Sequence, residues 1–94
     1  MAYVISHYFK GGTQDQYKAV VGAAHPGGKL PAGQRYHAAG PSEGGWLVVA
    51  VWDSKADYDT FMTGTLIPAL GSTPGAFASP PEERSAEVTN LVTG

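Results

Sequence analysis

The segment Trp46-Leu47-Val48-Val49-Ala50-Val51-Trp52 is apolar at every position. Its β-branched and aromatic residues favour a strand, and its length is far short of the ~20 residues that a membrane-crossing helix needs. A strand with one wet face alternates apolar and polar side chains. This one does not alternate, so both of its faces demand cover. Any architecture proposed for the chain has to supply that cover twice.

The flanking sequence supplies elements for one side. Tyr3 to Phe9 reads as a first strand closed by Lys10-Gly11-Gly12. Thr13 stands three residues before Gln16, the spacing of a capping box, and Tyr17, Val20, Val21 and Ala24 then recur on one helical face. His25-Pro26-Gly27-Gly28 ends that helix, and Lys29 to Gly33 is a loop. Gln34 to Ala39 reads as a second strand, and the glycine-rich Gly40 to Gly45 as the turn into the third, Trp46 to Trp52. Asp53 and Ser54 are cap candidates for a second helix carrying Tyr58, Phe61, Met62 and then Leu66 or Thr65. Pro68 predicts a bend or restart near Leu66. Gly71 to Pro81 is a long loop, and Arg84 to Val92 a last strand.

The order βαββαβ predicts an α+β, ferredoxin-like fold: a four-stranded, antiparallel sheet with both helices on one face. Ninety-four residues suit a single domain spanning 1–94. Both helices then cover the same side of the third strand. A second copy is the economical cover for the other side, which predicts a homodimer and assigns Trp46 to its interface. Cover by the C-terminal loop and tail is the alternative.

Composition removes several functional classes. Six Lys and Arg stand against eight Asp and Glu, a net charge of -2 without a basic cluster, so no nucleic-acid partner is expected. With no cysteine, disulfides, thiolate nucleophiles and cysteinyl metal sites are excluded. No basic region precedes a hydrophobic run at the N-terminus and no apolar run spans a bilayer, so the expectation is a cytoplasmic protein without membrane contact. Neither Gly-x-Gly-x-x-Gly nor Gly-x-x-x-x-Gly-Lys occurs, and no Gly-x-Ser-x-Gly elbow. Flavin and nicotinamide thereby lose their usual sequence support.

Several stretches together resemble the dimeric α/β-barrel superfamily, in particular its antibiotic-biosynthesis-monooxygenase-like branch. They are Tyr17, Leu30-Pro31-Ala32-Gly33, His37-Ala38-Ala39-Gly40, Gly45-Trp46, Trp52 through Phe61, Leu66-Ile67-Pro68-Ala69-Leu70 and Val88-Thr89-Asn90-Leu91-Val92. The resemblance implies two protomers whose sheets pack face to face, each with a pocket between its sheet and its own helices. It further implies a small cofactor-independent monooxygenase-like enzyme acting on an aromatic or polyketide-type molecule, in which the substrate's own carbanion reduces oxygen. A non-catalytic ligand-binding or stress-related dimer is the alternative, as is a non-oxidative cyclase or decarboxylase using the same pocket. The haem-degrading relatives use a first-strand asparagine, a third-strand tryptophan and a second-helix histidine. Only the tryptophan, Trp52, has a counterpart here, which sets haem degradation aside.

The candidate residues each carry a structural alternative. His7 shares strand parity with Tyr3, Ile5 and Phe9, and serves either as a general base or as a hydrogen-bonded core residue. His37 is the histidine of the family-like stretch, either in the site or anchoring a loop. His25 falls at the helix C-terminus, where capping explains it. The spacing of the three matches no metal motif. Trp52, Tyr58, Phe61 and Met62 either surround a flat aromatic ligand or fill a core. Ser6 is a possible substrate contact on the first strand, without a triad. Asn90, the only asparagine, either orients a substrate carbonyl or makes a strand-end hydrogen bond. Asp53, Asp57 and Asp59 cluster where helix capping accounts for them. A cavity of about 300 Å³ or more with a histidine in its wall supports an enzyme, whereas a filled core supports the non-catalytic reading.

Overall fold

The structure is a computed structural model and describes residues 2–93; Met1, with which the sequence opens, lies outside the described residues. The chain runs β1 (Tyr3–Lys10), α1 (Gln14–Ala24), a short turn (Pro26–Gly28), β2 (Gln34–Ser42), β3 (Gly45–Trp52), α2 (Lys55–Phe61), a π-helical turn (Met62–Leu66), α3 (Ile67–Ser72) and β4 (Glu82–Glu87). The strands form one antiparallel sheet in the order β2-β3-β1-β4, with the helices on one face, as a ferredoxin-like fold requires.

Local chemistry sets the helix starts. Thr13 Oγ1 accepts from the Gln16 N–H at 3.2 Å while Gln16 Oε1 accepts from the Thr13 N–H at 3.0 Å, closing the capping box. Ser54 caps α2 by accepting from the Asp57 N–H. Asp53 pairs with Arg35, and Asp59 with Lys55 one turn earlier, so these acids serve the fold. Pro68 has no N–H to donate. The helix meets it with a widened turn over Met62–Leu66 and resumes as α3, which places the bend where Pro68 predicts it.

The central pair of strands sorts its side chains by face. Tyr3, Ile5, His7 and Phe9 lie opposite Trp52, Ala50, Val48 and Trp46, facing the helices. Trp52 is 1% exposed and Ala50 is buried beside it. Trp46 belongs to this buried face, its ring 5.3 Å from that of Tyr17 on α1. Its assignment to an interface is therefore corrected: counting from Trp52, position 46 has the parity of the helix side. Leu47, Val49 and Val51 point the other way and keep partial exposure.

Two boundaries differ from expectation. The β2–β3 connection is a tight hairpin through Glu43-Gly44, with Gly44 at φ +75°, because β2 continues through Pro41 to Ser42. The proline is tolerated because β2 is an edge strand. At Gly45 a Cβ would lie 2.1 Å from the Phe9 carbonyl oxygen, so the close approach of β1 requires glycine there. The last strand ends at Glu87 and does not extend to Val92. Glu87 pairs with Tyr3, where β1 begins, and one further bond runs from the Val88 N–H to the Ala2 carbonyl.

Candidate active site

A cavity of about 50 Å³ lies between the helix-facing side of the sheet and the helices. Its walls are mainly aromatic and aliphatic, yet they contain His7, His25 and His37. Polar groups gather in two clusters.

The first forms on β1, α2 and β4. Glu83 lies opposite His7 in the β1–β4 register, which carries its carboxylate to the helix-facing side. Tyr58 on α2 donates its hydroxyl proton to Glu83 Oε1 at 2.5 Å, and His7 Nε2 lies 3.0 Å from the same oxygen and 3.2 Å from the Tyr58 hydroxyl. Burial, the largest influence, pushes the Tyr58 phenol up, and the bond to Glu83 pushes it further, so this side chain stays protonated. For Glu83, burial is the largest influence and acts upward. The hydrogen bonds from Tyr58 and His7 outweigh it, and the net direction is down. An ionised carboxylate only accepts, so His7 donates from Nε2 to it. A neutral His7 then holds its lone pair on Nδ1.

The second cluster forms on α1, its C-terminal end and β2. Tyr17 Oη lies 2.6 Å from His37 Nε2. Burial raises the Tyr17 phenol, so it keeps its proton. Burial and then the neighbouring His25 lower the pKa of His37, keeping that imidazole neutral. Tyr17 donates, His37 accepts at Nε2, and the remaining imidazole proton sits on Nδ1. His25 is the C-cap residue of α1, as expected for its position, but its side chain turns inward. It stacks on Phe61 at 5.6 Å and meets His37 edge-on at 5.0 Å, and burial lowers its pKa also. A register shift between Gln34 and Tyr36 inserts one residue into β2, so Gln34 and His37, of opposite parity in sequence, both face the cavity.

Phe77, from the loop between α3 and β4, closes one wall. Its ring stacks on Phe9 with centroids 3.7 Å apart and planes 9° apart. Gly12 permits the stack, because a Cβ there would lie 2.9 Å from both Phe77 and Phe9. Beyond Phe77 an open groove is lined by Met62, Ile67, Leu70 and Glu83 among others.

Of the candidates, His7, His37, Trp52, Tyr58 and Phe61 come together at the cavity. Met62 packs against the core and borders the outer groove instead. Ser6 is on the opposite face of the sheet, between Val49 and Arg84, because it has the other parity from His7. Asn90 is exposed beyond the end of β4. His37 lies within β2 and is held by Tyr17, so it anchors no loop. Sequence reasoning missed Glu83, Gln34 and Tyr17 as site residues, and the inward turn of His25. Only Tyr17 carried a usable signal, its place on the apolar stripe of the first helix. Among the described residues, no three His, Cys, Asp or Glu side chains converge as a metal would require.

No family model matches the sequence, and no curated protein matches it. Solved structures do. A protein described as a candidate antibiotic biosynthesis monooxygenase from Chloroflexus aurantiacus J-10-fl superposes with a TM-score of 0.66 at 12% identity over 100% of both chains. Rv0793 from Mycobacterium tuberculosis gives 0.66 at 14% identity over 98% of both. A point variant of MhuD, solved with two manganese protoporphyrin IX molecules per active site, gives 0.64 at 19% identity over 100% of both. The chain has the fold of the antibiotic-biosynthesis-monooxygenase-like proteins.

Proposed function

We propose that this chain is a cofactor-independent monooxygenase-like enzyme for a phenolic aromatic or polyketide-type molecule, acting as a homodimer. The observation that carries the reading is the convergence of His7 and Tyr58, both in the wall of a mainly apolar cavity, on one Glu83 oxygen. With Nε2–H held by Glu83, His7 Nδ1 is the base that removes the phenolic proton. Glu83 stabilises the imidazolium that forms, and Tyr58 fixes Glu83. The apolar walls exclude water and favour spreading of the negative charge onto a ring carbon. That carbon bonds to oxygen and transfers its electron pair. The His7 imidazolium returns its proton to the peroxide, and cleavage of the O–O bond with loss of the ring hydrogen then releases water and leaves a quinone. Trp52, Tyr58 and Phe61 hold the ring.

The cavity of about 50 Å³ falls below the expected threshold and below the ~150 Å³ that accommodates a single benzene ring. Substrate therefore enters when Phe77 leaves its stack on Phe9, joining the cavity to the outer groove. The same small volume favours the second reading, a non-catalytic binding dimer.

Oxygen uptake with a panel of polyphenols separates these readings. The expected result is uptake with at least one phenol, reduced about 100-fold or more in His7→Ala, and faster substrate entry in Phe77→Ala. Full turnover by His7→Ala removes His7 from the mechanism. Phenol binding without oxygen uptake favours the binding dimer, and product formation without uptake favours a cyclase or decarboxylase.

A further inference from the structure

We propose that the end of the cavity formed by His25, Gln34 and His37 is a recognition subsite for an uncharged hydroxyl or ketone oxygen on the bound molecule. The assignment rests on the reading of the cavity as a small-molecule site, but on none of its proposed redox chemistry.

Four residues of this one cavity wall hold a buried polar atom without a partner: His25 Nδ1, Gln34 Oε1, His37 Nδ1 and Trp52 Nε1. His25 and Gln34 are 7% and 8% exposed, so water at the surface does not reach them freely. Buried polar groups in folded proteins are almost always hydrogen-bonded, and a group that is not calls for a specific explanation. A core shaped for stability alone uses apolar residues at such positions. Four unsatisfied atoms on the wall of a single cavity point to a group that enters it.

Proton placement defines that group. His37 accepts from Tyr17 at Nε2 and so offers an Nδ1–H donor, and the Trp52 indole offers another. Gln34 Oε1 offers an acceptor. A hydroxyl that accepts from His37 and donates to Gln34 satisfies both, and a ketone satisfies the donors. Gln34 is the cross-strand partner of Trp52, and His37 that of Ala50, so the three polar groups come from successive same-face rungs of the ladder, with the outward-facing Tyr36–Val51 pair between them. Rigid neighbours hold them: His25 stacks on Phe61 and meets His37 edge-on. Among the described residues, no Lys, Arg, Asp or Glu lines this end of the cavity; the one carboxylate near the wall, Glu83, sits at the other end and is taken by His7 and Tyr58. A carboxylate, phosphate or ammonium would enter without a counter-charge, which desolvation strongly disfavours.

The two ends then divide the work: His7 acts on one group of the ligand, and the His25–Gln34–His37 end reads another. The test uses the full chain with ¹⁵N-labelled histidine, titrated with 1-naphthol, naphthalene and 1-naphthoate. The expected result is that 1-naphthol binds about tenfold or more tightly than naphthalene, with the naphthoate weakest. The ring nitrogens of His25 and His37 shift with 1-naphthol and not with naphthalene. Gln34→Leu, of similar volume, lowers naphthol affinity to that of naphthalene and leaves naphthalene unchanged. The same titrations in Phe77→Ala, with its larger cavity, preserve this order. Equal affinities for naphthol and naphthalene overturn the proposal, as does preferential binding of the anion. Absence of binding in both the natural chain and Phe77→Ala overturns it too, the orphan atoms then being served by water alone. Histidine shifts without oxygen uptake retain the subsite and reject the oxygenase; oxygen uptake without them does the reverse.

Discussion

The two faces of the β1–β3 pair are built from the same strands and from equally apolar sequence, yet they are made of different material. The helix-facing side carries Tyr3, Ile5, His7 and Phe9 against Trp52, Ala50, Val48 and Trp46, a mixture of large rings and small gaps with polar atoms set among them. The outer side carries Val4, Ser6 and Tyr8 against Val51, Val49 and Leu47, mostly branched aliphatics of similar height. Large rings of uneven size interdigitate with helices and leave a cavity. Short branched side chains make a level surface suited to another sheet. Hydropathy along β3 cannot tell the faces apart; side-chain size and the placement of polar atoms can.

The largest contrast between the faces is energetic. Trp52→Ala removes the most deeply buried large side chain and is expected to cost about 3–5 kcal/mol in denaturant unfolding. Val49→Ala, measured at low protein concentration, is expected to cost below about 1 kcal/mol, because its methyl groups are already partly exposed. Comparable losses at the two positions would show that the outer face is packed within the chain itself, and would break the comparison.

The elements of the fold were legible because each depends on local chemistry: the Thr13–Gln16 box, the unbroken β3 run, and Pro68 in the second helix. Strand parity likewise placed His7 with Ile5 and Phe9; the same parity, applied along β3, would have put Trp46 on the side of Trp52. The site was only half legible because it depends on departures from parity and on register. One extra residue near Arg35 brings Gln34 and His37 to the same face, which strict alternation forbids. Glu83 sits in a strand exposed along its whole length, and only the pairing with His7 reveals its role. Asn90 failed for the complementary reason. The C-terminal alternation suited a strand, but β4 ends at Glu87 and Asn90 lies exposed beyond it.

The outer face yields a prediction about assembly. If Val49 and Val51 pack against a second sheet, Val49→Lys places a charge in that contact with no partner. The expected outcome is a dimer weakened at least about tenfold by sedimentation, with monomer unfolding nearly unchanged. Tyr36→Ser, which removes a side chain 53% exposed on the same face, should act in the same direction and more weakly. A natural chain that sediments as a monomer at micromolar concentration would leave the flat face without the partner proposed for it.

The smallest expected effect separates the two ends of the helix-facing side by pH. His25 and His37 have pKa values lowered by burial, so between their folded values and the ordinary 6.5 the unfolded chain binds more protons than the native one. Stability is then fully present above about 6.5 and falls as pH descends, with a slope of at most about 1.4 kcal/mol per pH unit for each group. Glu83 is also shifted down, but from 4.5, so its contribution is lost only below that value as pH falls. Its side chain is 42% exposed, and solvent screening makes this second step smaller than the first. His37→Phe should therefore flatten the decline that begins near pH 6.5 and leave the acid step in place, while Glu83→Gln should do the opposite. Urea unfolding from pH 7.5 to 3.5 reads both. If His37→Phe removed the acid step as well, the two clusters would be one coupled network, and the division of the cavity into an acid–base end and a recognition end would fail.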